Sequence, residues 1–180
     1  MTTIRQVGDL KFQPYIPEDQ VAKRVDELAA QISEDYKDKK PVFLVVLNGA
    51  FRFAADLASG IDIPCEWQFV KLSSYEGMES SGSVKVIESI SVDMKDRHII
   101  VVEDIVDTGT SMEYYLEQLE DRQPASVKLA SLLVKEEALQ HDIVIHYLGF
   151  SIPDRFVVGY GLDYDEWGRN LNGIWQLHAS

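Results

Sequence analysis

The chain has 180 residues, 46% hydrophobic and 26% charged, which suits one soluble domain with a full core. Its 17 Lys and Arg against 30 Asp and Glu give a formal net charge of -13, the wrong sign for a surface that lives on nucleic acid or an anionic membrane. One cysteine, Cys65, excludes an internal disulfide, residues 1–10 hold no apolar leader, and no run nears the length of a membrane span, so a cytoplasmic protein is expected.

In chain order the first element is a helix. Pro17, Glu18 and Asp19 make a helix start, and Val21, Val25, Leu28, Ala29 and Ile32 recur at helical spacing until Lys37–Lys40 and Pro41 end it. Val42–Leu47 is a continuous apolar run between Pro41 and Asn48-Gly49, the pattern of a parallel strand buried on both faces. A helix over Ala50–Ala58 and a strand over Trp67–Leu72 follow. Residues Ser73–Ser83 are polar, rich in Gly and Ser and without period; they predict a long loop of the kind that serves as a lid. His98–Val102 is a second buried run, Ser111–Asp121 a helix, and Lys128–Val134 and Ile143–Tyr147 are further strands. The alternation predicts an α/β fold, a mainly parallel central sheet flanked by helices, in one domain over residues 1–180. Ligands then sit beyond the carboxyl ends of the strands. The residues just after each apolar run are therefore the ones to inspect.

The richest such segment is Glu103-Asp104-Ile105-Val106-Asp107-Thr108-Gly109-Thr110-Ser111. Asp107–Ser111 is a short loop of hydrogen-bonding residues at a helix N-terminus, where unsatisfied N–H groups and the helix dipole favour an anion. Thr108, Thr110 and Ser111 add hydroxyls, and Gly109 lets the backbone approach closely. A phosphate is the natural guest. Glu103 and Asp104, beside this cradle, would repel it unless they hold something else: the hydroxyls of a sugar diol, or a Mg²⁺ ion. Strict strand geometry sends neighbouring side chains to opposite faces, but a loop beginning after Val102 relaxes that. Phosphate, diol and metal together point to a phosphorylated sugar.

With Val101 and Val102 in front, this segment resembles the signature for phosphoribosyl pyrophosphate (PRPP) of the type I phosphoribosyltransferases. The resemblance implies that fold, with a small hood subdomain and a flexible lid loop. It implies that Glu103 and Asp104 hold the ribose hydroxyls, that Asp107, Thr108, Gly109, Thr110 and Ser111 hold the 5-phosphate, and that Asp107 is catalytic. Leu47-Asn48-Gly49 matches the pyrophosphate loop, where many members carry Lys in place of Asn48. Ser73-Ser74-Tyr75 and Ser80-Ser81-Gly82 are similar to the lid of the 6-oxopurine enzymes, with Ser74 and Tyr75 its functional residues. Val127–Leu133 resembles the strand whose lysine, here Lys128, reads O6 of a purine. Ile152–Tyr164 is the second strong match. It implies that Phe156 stacks on the base, that Val157 and Ile105 contact it, that Asp163 binds Mg²⁺ together with Glu103 and Asp104, and that Arg169 reaches pyrophosphate. The implied activity is purine salvage: transfer from PRPP to a 6-oxopurine base, giving a nucleotide product and pyrophosphate, by a homodimer or homotetramer without nucleic acid or membrane partners. Departures from the family pattern are Asn48, Thr110 (basic in some relatives) and Trp167-Gly168 before Arg169.

Other residues read as structural. His98, His141, His146 and His178 show no metal-ligand spacing and suit surface or strand-end positions, and Lys135 reads as a solvent-facing strand-end lysine. A xanthine- or guanine-preferring relative shares every motif above, so substrate competition alone separates those readings. A PRPP-sensing regulator needs a nucleic-acid module for which the chain has neither spare length nor a basic patch. A dinucleotide-binding protein needs a Gly-x-Gly-x-x-Gly fingerprint that neither strand precedes.

Overall fold

In the computed structural model, residues 3–74, 84–86 and 92–179 are described. In chain order they form β1 (Arg5–Val7), β2 (Leu10–Ile16), α1 (Glu18–Asp35), β3 (Val42–Leu47), α2 (Phe51–Gly60), β4 (Glu66–Ser74), β5 (Val84–Val86), β6 (His98–Val106), α3 (Thr110–Glu120), β7 (Ser126–Val134), β8 (Tyr147–Ser151), β9 (Val157–Val158) and β10 (Ile174–Leu177). The main sheet has the order β5-β4-β3-β6-β7-β8. Its neighbours pair in parallel, apart from β5, which runs antiparallel to β4.

Burial on both faces explains why the central strands read as unbroken apolar runs. Phe43 and Val45 of β3, with Ile100 and Val102 of β6, pack against α1 and α2 through Val25, Leu28, Phe53 and Leu57. Their neighbours Val42, Leu44, Ile99 and Val101 face the other way, onto Met112, Tyr115 and Leu119 of α3. Side-chain alternation along each strand thus feeds two cores at once. Phe43 and Trp67, paired across β3 and β4, stack with ring centroids 4.2 Å apart.

The second sheet is antiparallel, β1-β2-β10-β9, over a small core of Val7, Phe12 and Val158. It is the hood that the resemblance implies. Strand β8 begins at Tyr147, where the sequence suggested Ile143–Tyr147. The apolar side chains of Ile143 and Ile145 are instead spent on the α3-side core. The ladder forms beyond them, where Gly149 lets the backbone close onto Leu132; a Cβ there would lie 2.3 Å from the Leu132 carbonyl oxygen.

Ile100 is fully buried under α1 and α2. Ile100→Ala should cost about 2–5 kcal/mol of unfolding free energy, the usual range for such a cavity, measured as a lower urea midpoint at unchanged slope.

Candidate active site

The carboxyl ends of β3, β6, β7 and β8 lie on one edge of the sheet, and the loops that leave them build the site. β6 runs on to Val106, so Glu103 and Asp104 lie inside the strand rather than in a loop, yet their two carboxyl groups come within hydrogen-bonding reach of each other. Glu103 lines a cavity with Leu72, Thr108, Gly109 and Ser111. Asp104 lines a second one with Lys135, Phe156, Val157 and Asp163. Ile105 and Asp107 border both cavities. Burial, and then the charge of Asp104, push the Glu103 carboxyl well above the ordinary carboxylate range. Hydroxyl donors or a cation arriving at the pair relieve that penalty.

The first cavity is built by the loop expected to cradle an anion. Gly109 takes φ 84° and caps α3 with no side-chain hydrogen bond of its own, and the first helical N–H, that of Thr110, makes only a long bond of 3.5 Å to Thr108 Oγ1. Thr108 and Ser111 line the cavity, and Thr110, whose hydroxyl lies 3.4 Å from that of Thr108, opens the helix.

The second cavity has a flat wall and a charged floor. Phe156 is 42% exposed, its ring braced by Phe12 and edge-on by Tyr164 at centroid distances of 5.9 and 5.7 Å. The floor is Lys135. Only 7% of this residue is exposed, and its ammonium lies 2.7 Å from Asp107 Oδ2 and 3.1 Å from Asp154 Oδ1. Burial works to lower its pKa, but the bonds to the two carboxylates outweigh burial and raise it. The sequence signal for Lys135 was its place directly after a buried strand, the same rule that singled out Asp107.

Lys128 is not brought to this site. It lies near the amino end of β7, paired with Ile100, roughly 20 Å along the strand from the edge that carries Lys135 at ~3.3 Å per residue. Its ammonium is 3.5 Å from the Tyr147 hydroxyl and sits over the Tyr36 ring. A lysine inside an apolar strand did need partners, and two tyrosines supply them.

Asp163 and Arg169 are joined. Arg169 Nη1 is 2.9 Å from Asp163 Oδ1 and donates to the Gly161 carbonyl at 2.9 Å, while Nη2 pairs with Glu166. Leu47-Asn48-Gly49 follows β3, with a cis Leu47–Asn48 peptide. Gly49 lies directly on the Asp104 side chain: a Cβ there would sit 1.7 Å from Oδ2. Gly161 lies on Gly49 in turn, with 2.1 Å between its own missing Cβ and the Gly49 oxygen. Ser74 ends β4, while Tyr75 and the rest of the expected lid fall outside the described residues. Among the described residues no three acidic, His or Cys side chains form a metal-binding group. Asp104 and Asp163 share one cavity and Glu103 borders the other, so the three do not make one cage.

The comparisons with known proteins agree with one another. The family model described as "Phosphoribosyl transferase domain" matches residues 17–165. The chain is 38% identical to a hypoxanthine-guanine-xanthine phosphoribosyltransferase of Tritrichomonas foetus, covering 100% of this chain and 98% of that protein. It is 41% identical to the hypoxanthine-guanine phosphoribosyltransferase of Bacillus subtilis, over 87% of each. The crystal structure of a hypoxanthine-guanine phosphoribosyltransferase from Bacillus anthracis superposes with a TM-score of 0.86 at 35% identity, covering 99% of this chain and 100% of that one.

Gly49→Ala drives a methyl group into the Asp104 carboxylate. It should destabilise the protein by about 1–3 kcal/mol, as overpacking does, seen as a lower melting temperature by calorimetry.

Proposed function

The chain belongs to the phosphoribosyltransferase family, and from that premise we infer that it transfers the 5-phosphoribosyl group of PRPP to hypoxanthine and guanine, giving IMP or GMP and pyrophosphate. It is a pentosyltransferase of purine salvage, like its relatives. The observation that carries the reading is the pair Asp107–Lys135, 2.7 Å apart, on the seam between the anion cradle and the aromatic-walled cavity.

In this reading Asp107, Thr108, Gly109, Thr110 and Ser111 bind the 5-phosphate, and Glu103 and Asp104 accept the ribose hydroxyls. The base lies against Phe156, with Ile105 on its other side and the Val157 backbone at its edge. Lys135, and not Lys128, donates to O6. A 6-oxopurine offers that ammonium an acceptor, and the amino group of adenine does not. Leu47, Asn48 and Gly49 meet the pyrophosphate through backbone N–H groups, Asn48 adding no charge. Arg169, engaged with Asp163, is close enough in the chain to serve the same group.

The reaction is a displacement at C1′. The bond from C1′ to pyrophosphate breaks with its electron pair, positive charge grows on the ribosyl carbon, and N9 of the base attacks. The proton on N7 goes to Asp107, which keeps the purine neutral. Lys135 holds that carboxylate in place before the base arrives. Water must be kept from the ribosyl cation, and this is the work proposed for Ser74, Tyr75 and the lid. Mg²⁺ fits the donor set, since it is commonly held by one or two carboxylates with substrate oxygens completing the shell. Asp163 and Asp104, which line one cavity, would hold it, and it would neutralise charge on the leaving pyrophosphate.

The whole of residues 1–180 acts as one domain in this reading, and the working form is a cytoplasmic homodimer or homotetramer. Exposed Phe51 and Phe69 offer apolar surface for such association. Among the described residues no helix is long and apolar enough to cross a membrane.

A spectrophotometric assay with PRPP and Mg²⁺, offering hypoxanthine, guanine, xanthine and adenine in turn, tests the reading. Hypoxanthine and guanine should turn over and adenine should not. Lys135→Met should cut kcat/KM for hypoxanthine about 10- to 100-fold, the loss of a charged hydrogen bond, whereas Lys128→Met should leave it within about twofold. Asp107→Asn should lower kcat by about 10²-fold or more, the range of a general base, while PRPP affinity changes far less. Equal losses in both would sink the base assignment.

A further inference from the structure

One carboxylate beside the base cavity has no part in the mechanism above. Asp154 lies in the connection between β8 and β9, where Arg155 N donates to the Pro153 carbonyl at 2.7 Å and closes a tight turn around it. Backbone bonds clip this connection to its neighbours. Lys135 N donates to the Val106 carbonyl at 3.0 Å, and Ile152 N donates to the Val134 carbonyl at 2.9 Å. The strand order β6-β7-β8 then puts Asp107 on one flank of Lys135 and Asp154 on the other.

An ammonium carries three N–H donors and no acceptor. Asp107 Oδ2 takes one at 2.7 Å, and Asp154 Oδ1 takes a second at 3.1 Å. The third remains for the cavity that Lys135 lines with Phe156 and Val157. A lysine head rides on a flexible four-carbon stem, so a single carboxylate lets it pivot. Two carboxylates on opposite flanks fix the direction of the third N–H. In the proposed reaction Asp107 also serves N7 of the base, which leaves Asp154 with no duty except to hold the cation. Asp154 is absent from the cavity lining, and its side chain is 63% exposed against 9% for Lys135. It therefore acts through the lysine and does not touch the base.

Resting on the reading of Lys135 as the donor to O6, we propose that Asp154 is a positioning residue for base recognition: it holds the Lys135 ammonium across from Asp107 so that the third N–H meets the 6-oxygen of the purine. The contribution is then confined to bases that carry an acceptor at C6. A purine without that oxygen gains nothing from the aimed N–H, and neither does PRPP, whose phosphate is read by residues 107–111.

The test uses the full chain. D154N should lower kcat/KM for hypoxanthine about five- to tenfold, less than K135M does because the ammonium remains. KM for PRPP should stay within about twofold, which also reports an intact fold. Unsubstituted purine, which lacks the 6-oxygen, should compete with hypoxanthine for the wild type and for D154N with inhibition constants within about twofold of each other. D154N should add less than about twofold to the loss in K135M, because without the ammonium Asp154 has nothing to hold. An unchanged kcat/KM for hypoxanthine in D154N would overturn the proposal. So would an equal loss for purine, a matching rise in KM for PRPP, or a full further loss in the double variant, since each would show that Asp154 merely steadies the turn before Phe156. If the wild type turned over no base, the functional reading would fall and the proposal with it; an active wild type beside an unaffected D154N would sink the proposal alone.

Discussion

An ammonium buried at the end of a strand must be paired, and this requirement fixes the geometry of the site. Lys135 leaves β7 into a space that shields it from water and binds Asp107 on one side and Asp154 on the other. Breaking such an arrangement by removing one partner strands the other charge. The loop after β6 and the loop after β8 are thereby tied to the strand between them. One carboxylate is thereby held in a fixed position, where the proposed proton transfer needs it.

A second constraint is close approach of backbone. Gly161 rests on Gly49, and Gly49 rests on Asp104, at separations that no side chain tolerates. The stack joins the hood-side turn, the loop after β3 and the strand β6 in three layers. It brings Asp163, held by Arg169, near the carboxylate of Asp104, although the two come from distant parts of the chain. Charge and steric closeness thus work together: the salt bridges set direction, and the glycines set distance.

The parallel core was legible because burial on both faces leaves strands such as Val42–Leu47 as unbroken apolar runs between a Pro and an Asn-Gly turn. The turn from β6 into α3 was legible because its residue types have few other uses in that order. The hood was harder to read. β1 and β9 are three and two residues long, and β2 contains Pro14, which strand patterns exclude except at edges and irregular positions; the pairing of β2 with β10 shifts register there. Lys128 and Lys135 show a different limit. Both belong to one strand and its exit, and period alone does not tell which end of the strand faces the ligand. Distance from the carboxyl end decides it.

The hood pairs β2 with β10, strands from opposite ends of the sequence. Phe12 of β2 braces Phe156, so the aromatic wall of the base cavity is complete only when the last strand is in place. The phosphate loop and its helix, by contrast, are made of contiguous chain. On a ribosome adding ~5–20 residues per second, β2 waits roughly ten to thirty seconds for its partner. The loop after β6 and its helix can take shape while the nascent chain is still growing, whereas the cavity beside Phe156 must wait for β10 before its wall is braced.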